Sequence, residues 1–286
     1  MTTPKGHTPQ TVMQGPWPFI TYGSFVAGKK RTAWHSRQHR KGLDLWQGTA
    51  PASPQPFWHR PAYNWCIGAV FALGAFLFML ASLLSMAQTA EENIPSNLIN
   101  IVFFAGSLPF TCAALMQLIQ AANSADFPGN TQAARPKRFE LVGWHPRHAG
   151  WLSSYTQFLG TLAFNMNTFN AILSPTKWDV KDAVIWLPDI VGSLLFLISG
   201  YLAFIEAGHR YWSWRLKDLS WQIVFINLMG CIAFMTAAIL SYFPSVKGPG
   251  WIASLSNLHT LIGAFCFFVA ALLTCRESKG RFHYGN

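Results

Sequence analysis

The chain has 286 residues, of which 51% are hydrophobic, 15% aromatic and only 11% charged, whereas about 25% of the residues of an ordinary soluble domain are charged. A soluble protein of this size would show amphipathic stripes and many more surface charges, so the composition argues against one. The formal net charge is +10, but the basic residues are divided among segments that flank apolar runs. We therefore do not interpret the charge as nucleic-acid binding, which would need a folded basic face.

Six apolar runs are long enough to cross a bilayer, whose hydrocarbon core of about 30 Å requires about 20 helical residues. Helices are expected because an unsatisfied backbone group in lipid costs several kcal/mol. The sequence therefore predicts an all-α, polytopic membrane protein with six transmembrane helices. The runs are 63–87, 96–122, 149–173, 184–206, 219–243 and 251–275.

The orientation follows from the distribution of Lys and Arg. Of the 21 basic residues, 18 lie before the first run, in 123–148, in 207–218 or after the last run. The positive-inside rule therefore predicts that both termini lie in the cytoplasm of a bacterial cell, with the six helices in its inner membrane.

A threefold internal repeat is the most informative pattern. Each odd-numbered run has a Trp, a Gly nine residues later and a Phe four residues beyond, and each even-numbered run has a Gly with a Phe four residues later. Close helix approach at glycine is a common way for helices to associate in lipid, and Trp favours the membrane interface. The pattern predicts three repeated helical hairpins. Its members are Trp65, Gly74, Phe78, Gly106 and Phe110; Trp151, Gly160, Phe164, Gly192 and Phe196; and Trp221, Gly230, Phe234, Gly263 and Phe267.

A long polar residue stands fourteen positions after the second glycine of each hairpin: Gln120, Glu206 and Glu277. The pattern divides the chain into an N-terminal arm, three hairpins, a linker after the first hairpin and a tail. Their bounds are 1–62 for the arm, 63–122, 149–210 and 211–277 for the hairpins, 123–148 for the linker and 278–286 for the tail.

The segments Phe104-Ala-Gly-Ser-Leu-Pro-Phe110 and Asp189-Ile-Val-Gly-Ser-Leu-Leu-Phe196 resemble the two-helix unit of the bacterial YrhK-like integral membrane proteins. The similarity extends over about 63–277. It implies a helical-hairpin unit and brings no active site to this chain.

The third run alone has a polar face. Successive polar residues are spaced by three or four positions, which places them on one side of a helix. Two interpretations remain open: this face lines a water-filled or solute-binding cavity, or it forms hydrogen bonds between helices. The residues are Ser154, Gln157, Thr161, Asn165 and Thr168, with Asn227 of the fifth run at the position equivalent to Gln157.

A second polar cluster lies at the cytoplasmic ends of the fourth and sixth runs. It contains Glu206, His209, Arg210 and Glu277. It is interpreted either as an ion-pair network that ends the spans or as a proton-accepting Glu206–His209 pair. Asp189 follows Pro188, as is typical of a helix N-terminus, and this pattern alone implies no chemistry.

No cofactor or metal is predicted. His209 and His259 are the histidines associated with spans, but the assigned topology puts them at opposite faces, so they cannot ligate one haem. His145 and His148 do not complete a zinc site.

The N-terminal arm is basic and contains four tryptophans. Its basic residues are predicted to contact anionic lipid headgroups, at about 1 kcal/mol per charge, and its aromatic content suggests that part of it folds onto the helices or onto a protein partner. The basic residues are Lys29, Lys30, Arg31, Arg37, Arg40 and Lys41.

Paired carboxylates, a nucleophile motif and a ligand set are all missing from the sequence patterns, so we do not expect an enzyme. The regular repeat favours a membrane scaffold or accessory subunit. The alternative is a transporter or channel for a small solute or ion, with the polar face of the third run lining its route.

Overall fold

The computed structural model describes residues 12–27, 30–43, 56–91, 94–124, 139–173, 182–242 and 250–279, apart from some side chains in the arm and at loop ends. Within these ranges the chain forms a small β-sheet, one short helix and six long helices.

The N-terminal arm begins with a three-stranded antiparallel sheet in the order β1-β2-β3, formed by β1 (Val12–Gln14), β2 (Tyr22–Ala27) and β3 (Lys30–His35). The short helix α1 (Ser36–Arg40) follows directly. Gly42 then turns the chain with a positive φ of 64°. A side chain at this position would lie 2.6 Å from the carbonyl oxygen of His59, so the turn requires glycine.

The six long helices form a closed ring in chain order, because each helix packs against the next and the last packs against the first. A π-helical turn, Asp182–Trp186, leads into the fourth of them. The six are α2 (Pro61–Glu91), α3 (Ser96–Ala122), α4 (Ala149–Leu173), α5 (Leu187–Gly208), α6 (Leu219–Leu240) and α7 (Gly250–Lys279).

Five of these helices are long and apolar enough to cross a membrane, and the chain is accordingly a multi-pass membrane protein. The exception, α4, has 25 residues, so its length suffices, but its amide and hydroxyl side chains lower its mean hydropathy. The outward faces of the apolar helices expose large side chains such as Phe76 (51%) and Phe265 (53%). Exposed apolar surface of this kind marks an interaction site, and here the site suits lipid.

The same close contact recurs within each helix pair. Between α6 and α7, a side chain added at Gly230 would lie 2.6 Å from the Phe267 ring, and one added at Gly263 would lie 2.7 Å from the Phe234 ring. Each glycine therefore leaves the space that the phenylalanine of the other helix occupies. The corresponding sets are Gly74, Phe78, Gly106 and Phe110 between α2 and α3, and Gly160, Phe164, Gly192 and Phe196 between α4 and α5.

The three tryptophans at the starts of α2, α4 and α6 do not share one environment. Trp151 and Trp221 are each only 1% exposed, whereas Trp65 is 43% exposed. The loop before each buried indole packs over it and accepts a hydrogen bond from the indole N–H. The acceptor is Val142 O for Trp151 (2.7 Å) and Ser213 O for Trp221 (3.1 Å). Two of the three indoles therefore pack internally, contrary to the expected interface position.

Candidate functional site: an axial pair of cavities and the arm that closes one end

Helix α1 of the N-terminal arm lies at one end of the helix ring, hereafter the arm end. Arg37 donates to Glu277 of α7 through Nη1 and Oε1 at 2.6 Å, and Lys41 Nζ donates to the other oxygen of the same carboxylate at 2.9 Å. Arg40 Nη2 donates to Glu206 Oε2 of α5 at 2.8 Å. Three cations of the arm thus bind the two carboxylates. These ion pairs offset the desolvation free energy of the buried carboxylates.

The third residue of the polar triplet also contacts the arm. Gln120 is fully buried and donates to Trp58 O at 2.6 Å and to Asn64 Oδ1 at 3.1 Å. Asn64 in turn donates to Lys41 O at 2.8 Å. Gln120, Glu206 and Glu277, which occupy equivalent positions in the sequence pattern, therefore all hold the same segment.

A glycine provides the space for one of these ion pairs. A side chain added at Gly150 would lie 2.6 Å from Arg40 Nε and within contact of the Glu206 carboxylate. Ser36 Oγ also donates to Glu206, at 2.7 Å. The start of α4 therefore accommodates the Arg40–Glu206 pair only because it lacks a side chain at this position.

Burial and neighbouring charges shift the pKa values of the arm cations. Burial lowers the pKa of Lys41 to about 8, and the Arg37 charge adds to this effect while Glu277 opposes it. Burial also disfavours the charge of Arg37, but the carboxylates of Glu277, Glu206 and Asp218 together outweigh that effect and raise the pKa of Arg37. Arg37 is thus the permanently charged partner, and Lys41 is the partner that titrates closer to neutrality.

The structure does not pair Glu206 with His209. His209 follows α5 with a positive φ of 59°, and its Nε2 lies 2.9 Å from Nδ1 of His35 in the arm. Its Nδ1 lies 3.1 Å from Thr21 Oγ1. Burial, together with the charges of His35 and Arg215, lowers the pKa of His209 to about 4. His209 is therefore a neutral contact of the arm, and Arg210 is exposed.

The basic residues of the arm differ from the expected surface cluster. Arg37 and Lys41 are only 4% and 6% exposed, and with Arg40 they face protein carboxylates, where lipid headgroups cannot reach. The reason is that two buried glutamates attract them more strongly than a solvated interface does. Lys29 lies outside the described residues, as do the side chains of Lys30 and Arg31.

A cavity of about 80 Å³ lies directly beneath α1, hereafter the arm-end cavity. All six long helices and the three arm cations contribute to its wall, so it lies on the axis of the ring. Its polar lining from the helices consists of Gln117, Ser153, Ser154, Gln157, Ser199, Asn227 and Thr274.

Six phenylalanines fill the middle of the ring, hereafter the phenylalanine layer. Ring centroids lie 5.3 Å apart for Phe78–Phe110, 4.9 Å for Phe164–Phe196 and 5.1 Å for Phe234–Phe267. Rings of different pairs also touch, for example Phe196 and Phe267 at 5.9 Å. A cavity of about 10 Å³ lies within the layer, which is too little for a solute.

A second cavity, of about 190 Å³, lies on the other side of the phenylalanine layer, hereafter the far-end cavity. It too is lined by residues of all six long helices. Phe78, Phe164 and Phe234 form its floor, and its polar lining consists of Asn100, Asn167, Thr168, Asp189, Ser256 and Thr260.

The polar side chains of α4 therefore lie in two kinds of environment: some border a cavity, and others form hydrogen bonds within the packed helices. Ser154 and Gln157, with Asn227 of α6, border the arm-end cavity, and Thr168 borders the far-end cavity. Thr161 lies in the phenylalanine layer and donates to Phe158 O at 2.7 Å. Asn165 donates to Thr111 of α3 at 2.8 Å. The face thus borders a cavity at each end and forms a hydrogen bond to α3 between them, and a role in binding water or a solute stays a prediction.

Sequence reasoning missed two features of the site. Asp189 lies in the first turn of α5, as expected, but it also borders the far-end cavity. The sequence predicted that part of the arm folds onto the helices or a partner, but it missed the ion pairs of Arg37, Arg40 and Lys41 with Glu206 and Glu277, although buried glutamates require cationic partners. That requirement was the available signal. Among the described residues, no group of three or more His, Cys, Asp or Glu side chains is placed to hold a metal ion.

Compared with protein-family models, curated proteins and solved structures, the chain matches none of them.

Proposed function

We propose that this membrane protein provides a gated route for a small polar solute or ion along the axis of its helix ring. The observation that carries the proposal is the pair of polar cavities in line on the axis, separated by the phenylalanine layer. Polar cavities inside a ring of spans are costly unless they serve water or a solute. On this proposal all six long helices span the membrane as three repeated hairpins, and the arm end faces the cytoplasm of a bacterial cell.

The route has two closures in this arrangement. The phenylalanine layer is a hydrophobic constriction of the kind that gates by excluding water. The docked α1 is the second closure, because Arg37, Arg40 and Lys41 form the end wall of the arm-end cavity. Solute would pass only when both closures open.

Flux into liposomes tests this route. We expect little flux through the wild-type protein. The triple variant Phe78→Ala/Phe234→Ala/Glu277→Gln should pass at least one of glycerol, urea, Na⁺ and K⁺ in stopped-flow assays. Phe76→Ala is the matched control, because Phe76 is on the same helix but 51% exposed. Flux no greater than that of empty liposomes for all four probes would refute the route.

Cysteine accessibility gives a readout that does not depend on the choice of solute. A Gln157→Cys variant should react with a charged thiol reagent only when Glu277→Gln releases the arm, and an Asn167→Cys variant should react from the opposite face. Labelling of neither position would show that the cavities are closed to water and would contradict the proposal.

A membrane scaffold or accessory subunit is the second candidate function. The observation in its favour is the aromatic surface at the arm end, where Trp17 is 82% exposed and Trp214 is 62% exposed. Tryptophan of this kind suits either a membrane interface or a protein partner. This function predicts a partner that co-purifies in stoichiometric amount, and a lone monomer in native membranes would argue against it.

A further inference from the structure

We infer that the far-end cavity binds a monovalent cation, with Asp189 as its counter-charge and neighbouring side-chain oxygens as its ligands. The inference adds to the proposed route the class of solute that it carries. Transport of the cation rests on the proposed route, whereas its binding in the cavity does not.

The first argument is the charge of the cavity wall. Asp189 is the only charged residue in the described lining. Its described neighbours Asn167 and Ser241 are neutral, and no described cation pairs with it. A carboxylate inside a membrane that lacks an ionic partner marks a binding or conduction site. One negative charge is balanced by one monovalent cation.

The second argument is the direction of the hydroxyl protons around the cavity. Thr168 donates to Phe164 O at 2.8 Å, Ser256 to Ala237 O at 3.0 Å and Thr260 to Ser256 O at 3.1 Å. Because each hydroxyl has one proton and two lone pairs, its remaining capacity is as an acceptor. The hydroxyls therefore present oxygen lone pairs rather than protons to a ligand.

Asn100 also offers an acceptor to the cavity. Its Nδ2 donates one N–H to Ala171 O at 2.9 Å, and the carbonyl oxygen of the same side chain is an acceptor. A cavity whose wall offers carboxylate, carbonyl and hydroxyl oxygens suits a hard cation or an ammonium ion, and it does not suit an anion. A divalent ion would lack a second counter-charge among the described lining residues.

The third argument comes from the arm end. There the two carboxylates of the ring, Glu206 and Glu277, are already occupied by cations, namely the side chains of α1. Release of the arm would leave carboxylates at both ends of the axis and only neutral groups from the helices between them. That distribution favours a cation over an anion along the whole route.

Cation titration of the purified protein tests the inference. The midpoint of thermal unfolding is followed while NaCl, KCl or NH₄Cl replaces N-methyl-D-glucamine chloride at constant ionic strength. We expect at least one small cation to raise the midpoint saturably, because a ligand that binds only the folded state stabilises it. Asp189→Asn should raise the half-saturating concentration about tenfold or more, and Thr260→Val about threefold. Glu140→Gln, which removes a half-exposed carboxylate at the arm end, should leave the titration unchanged.

Two results would overturn the inference: an Asp189→Asn variant that titrates like the wild type, or small cations that act no differently from N-methyl-D-glucamine. The liposome assay distinguishes failure of the cation site from failure of the transport route. Cation binding that needs Asp189, without flux in any variant, would support the site and refute the route. Flux of glycerol or urea that is insensitive to Asp189→Asn, without selective cation binding, would support the route and refute the cation site.

Discussion

The two ends of the helix ring treat buried acidic residues in opposite ways. At the arm end, Glu206 and Glu277 are bound by Arg37, Arg40 and Lys41 at 2.6 to 2.9 Å. At the far end, Asp189 borders a cavity and its described partners are neutral. A carboxylate whose charge is balanced by the chain itself holds the structure together, whereas one that faces a cavity without an ionic partner is available to a ligand. This contrast predicts how each end responds to substitution.

The largest effect is expected when the charge of Glu277 is removed. Glu277→Gln leaves Arg37 and Lys41 buried without their counter-charge, and the loss of one partner of a buried pair costs about 3–5 kcal/mol. The arm should undock, so trypsin should cleave after Arg37 and Arg40, which the docked state protects. Mass spectrometry of the fragments identifies these sites.

The matched control is the same carboxylate-to-amide change at the far end. Asp189→Asn should change stability by less than about 1 kcal/mol, because no described cation loses its partner. Equal destabilisation by the two substitutions would contradict the proposed difference between the carboxylates at the two ends.

The next effect concerns the phenylalanine layer that separates the ends. Gly230→Ala puts a methyl group 2.6 Å from the ring of Phe267 and 3.0 Å from Gly263 O. Such overpacking should cost about 1–3 kcal/mol and lower the thermal midpoint in detergent. The double variant Gly230→Ala/Phe267→Leu should lose less than the sum of the two single changes, because the shorter side chain relieves the clash. Strict additivity would show that this contact is not the cause.

Acidification should weaken the arm end through His209. The pKa of His209 is about 4 with the arm docked and returns toward its usual value of about 6.5 on release. The released state therefore binds more protons below pH 6.5, so the contribution of His209 to docking is complete above that pH and is lost as the pH falls toward 4. At pH 5 the loss should be about 1–2 kcal/mol after allowance for partial exposure.

Proteolysis of the arm at pH 7 and pH 5 measures this effect, with a protease active at both values. In a His209→Asn variant, which tolerates the positive φ, the two rates should agree. A wild-type protein whose arm is equally protected at both values would contradict the assignment of His209 to docking.

The smallest effect tests the hydrogen bond between α3 and α4. Thr111→Val removes the acceptor of Asn165 and should cost about 0.6 kcal/mol, as is usual for polar contacts between membrane helices. Thr236→Val is the matched control, because the partly buried Thr236 donates only within α6, to Ile232 O. A loss that is equal in the two variants would show that the Asn165–Thr111 contact adds no stability.

The sequence by itself determined the features that depend on local composition and spacing. Apolar length predicted the long helices, because lipid leaves the backbone no partner but its own helix. The recurring glycines, such as Gly230 and Gly263, predicted that the helices approach each other closely at these positions, and the structure added that each glycine faces a phenylalanine of the other helix. The polar face of α4 was also evident from helical periodicity, and it explains why α4 lacks the long apolar stretch that the other five helices have.

Only the tertiary structure decided where the charges of the arm and the ends of the ring meet. Arg37 and Glu277 are 240 residues apart, and no local pattern records a pairing over such a distance. The same holds for the two cavities, which need all six helices to close around them. Composition specified that buried glutamates must find cations. The closure of the ring selected Arg37, Arg40 and Lys41 as those cations and placed Asp189 at the far-end cavity, with neutral partners among the described residues.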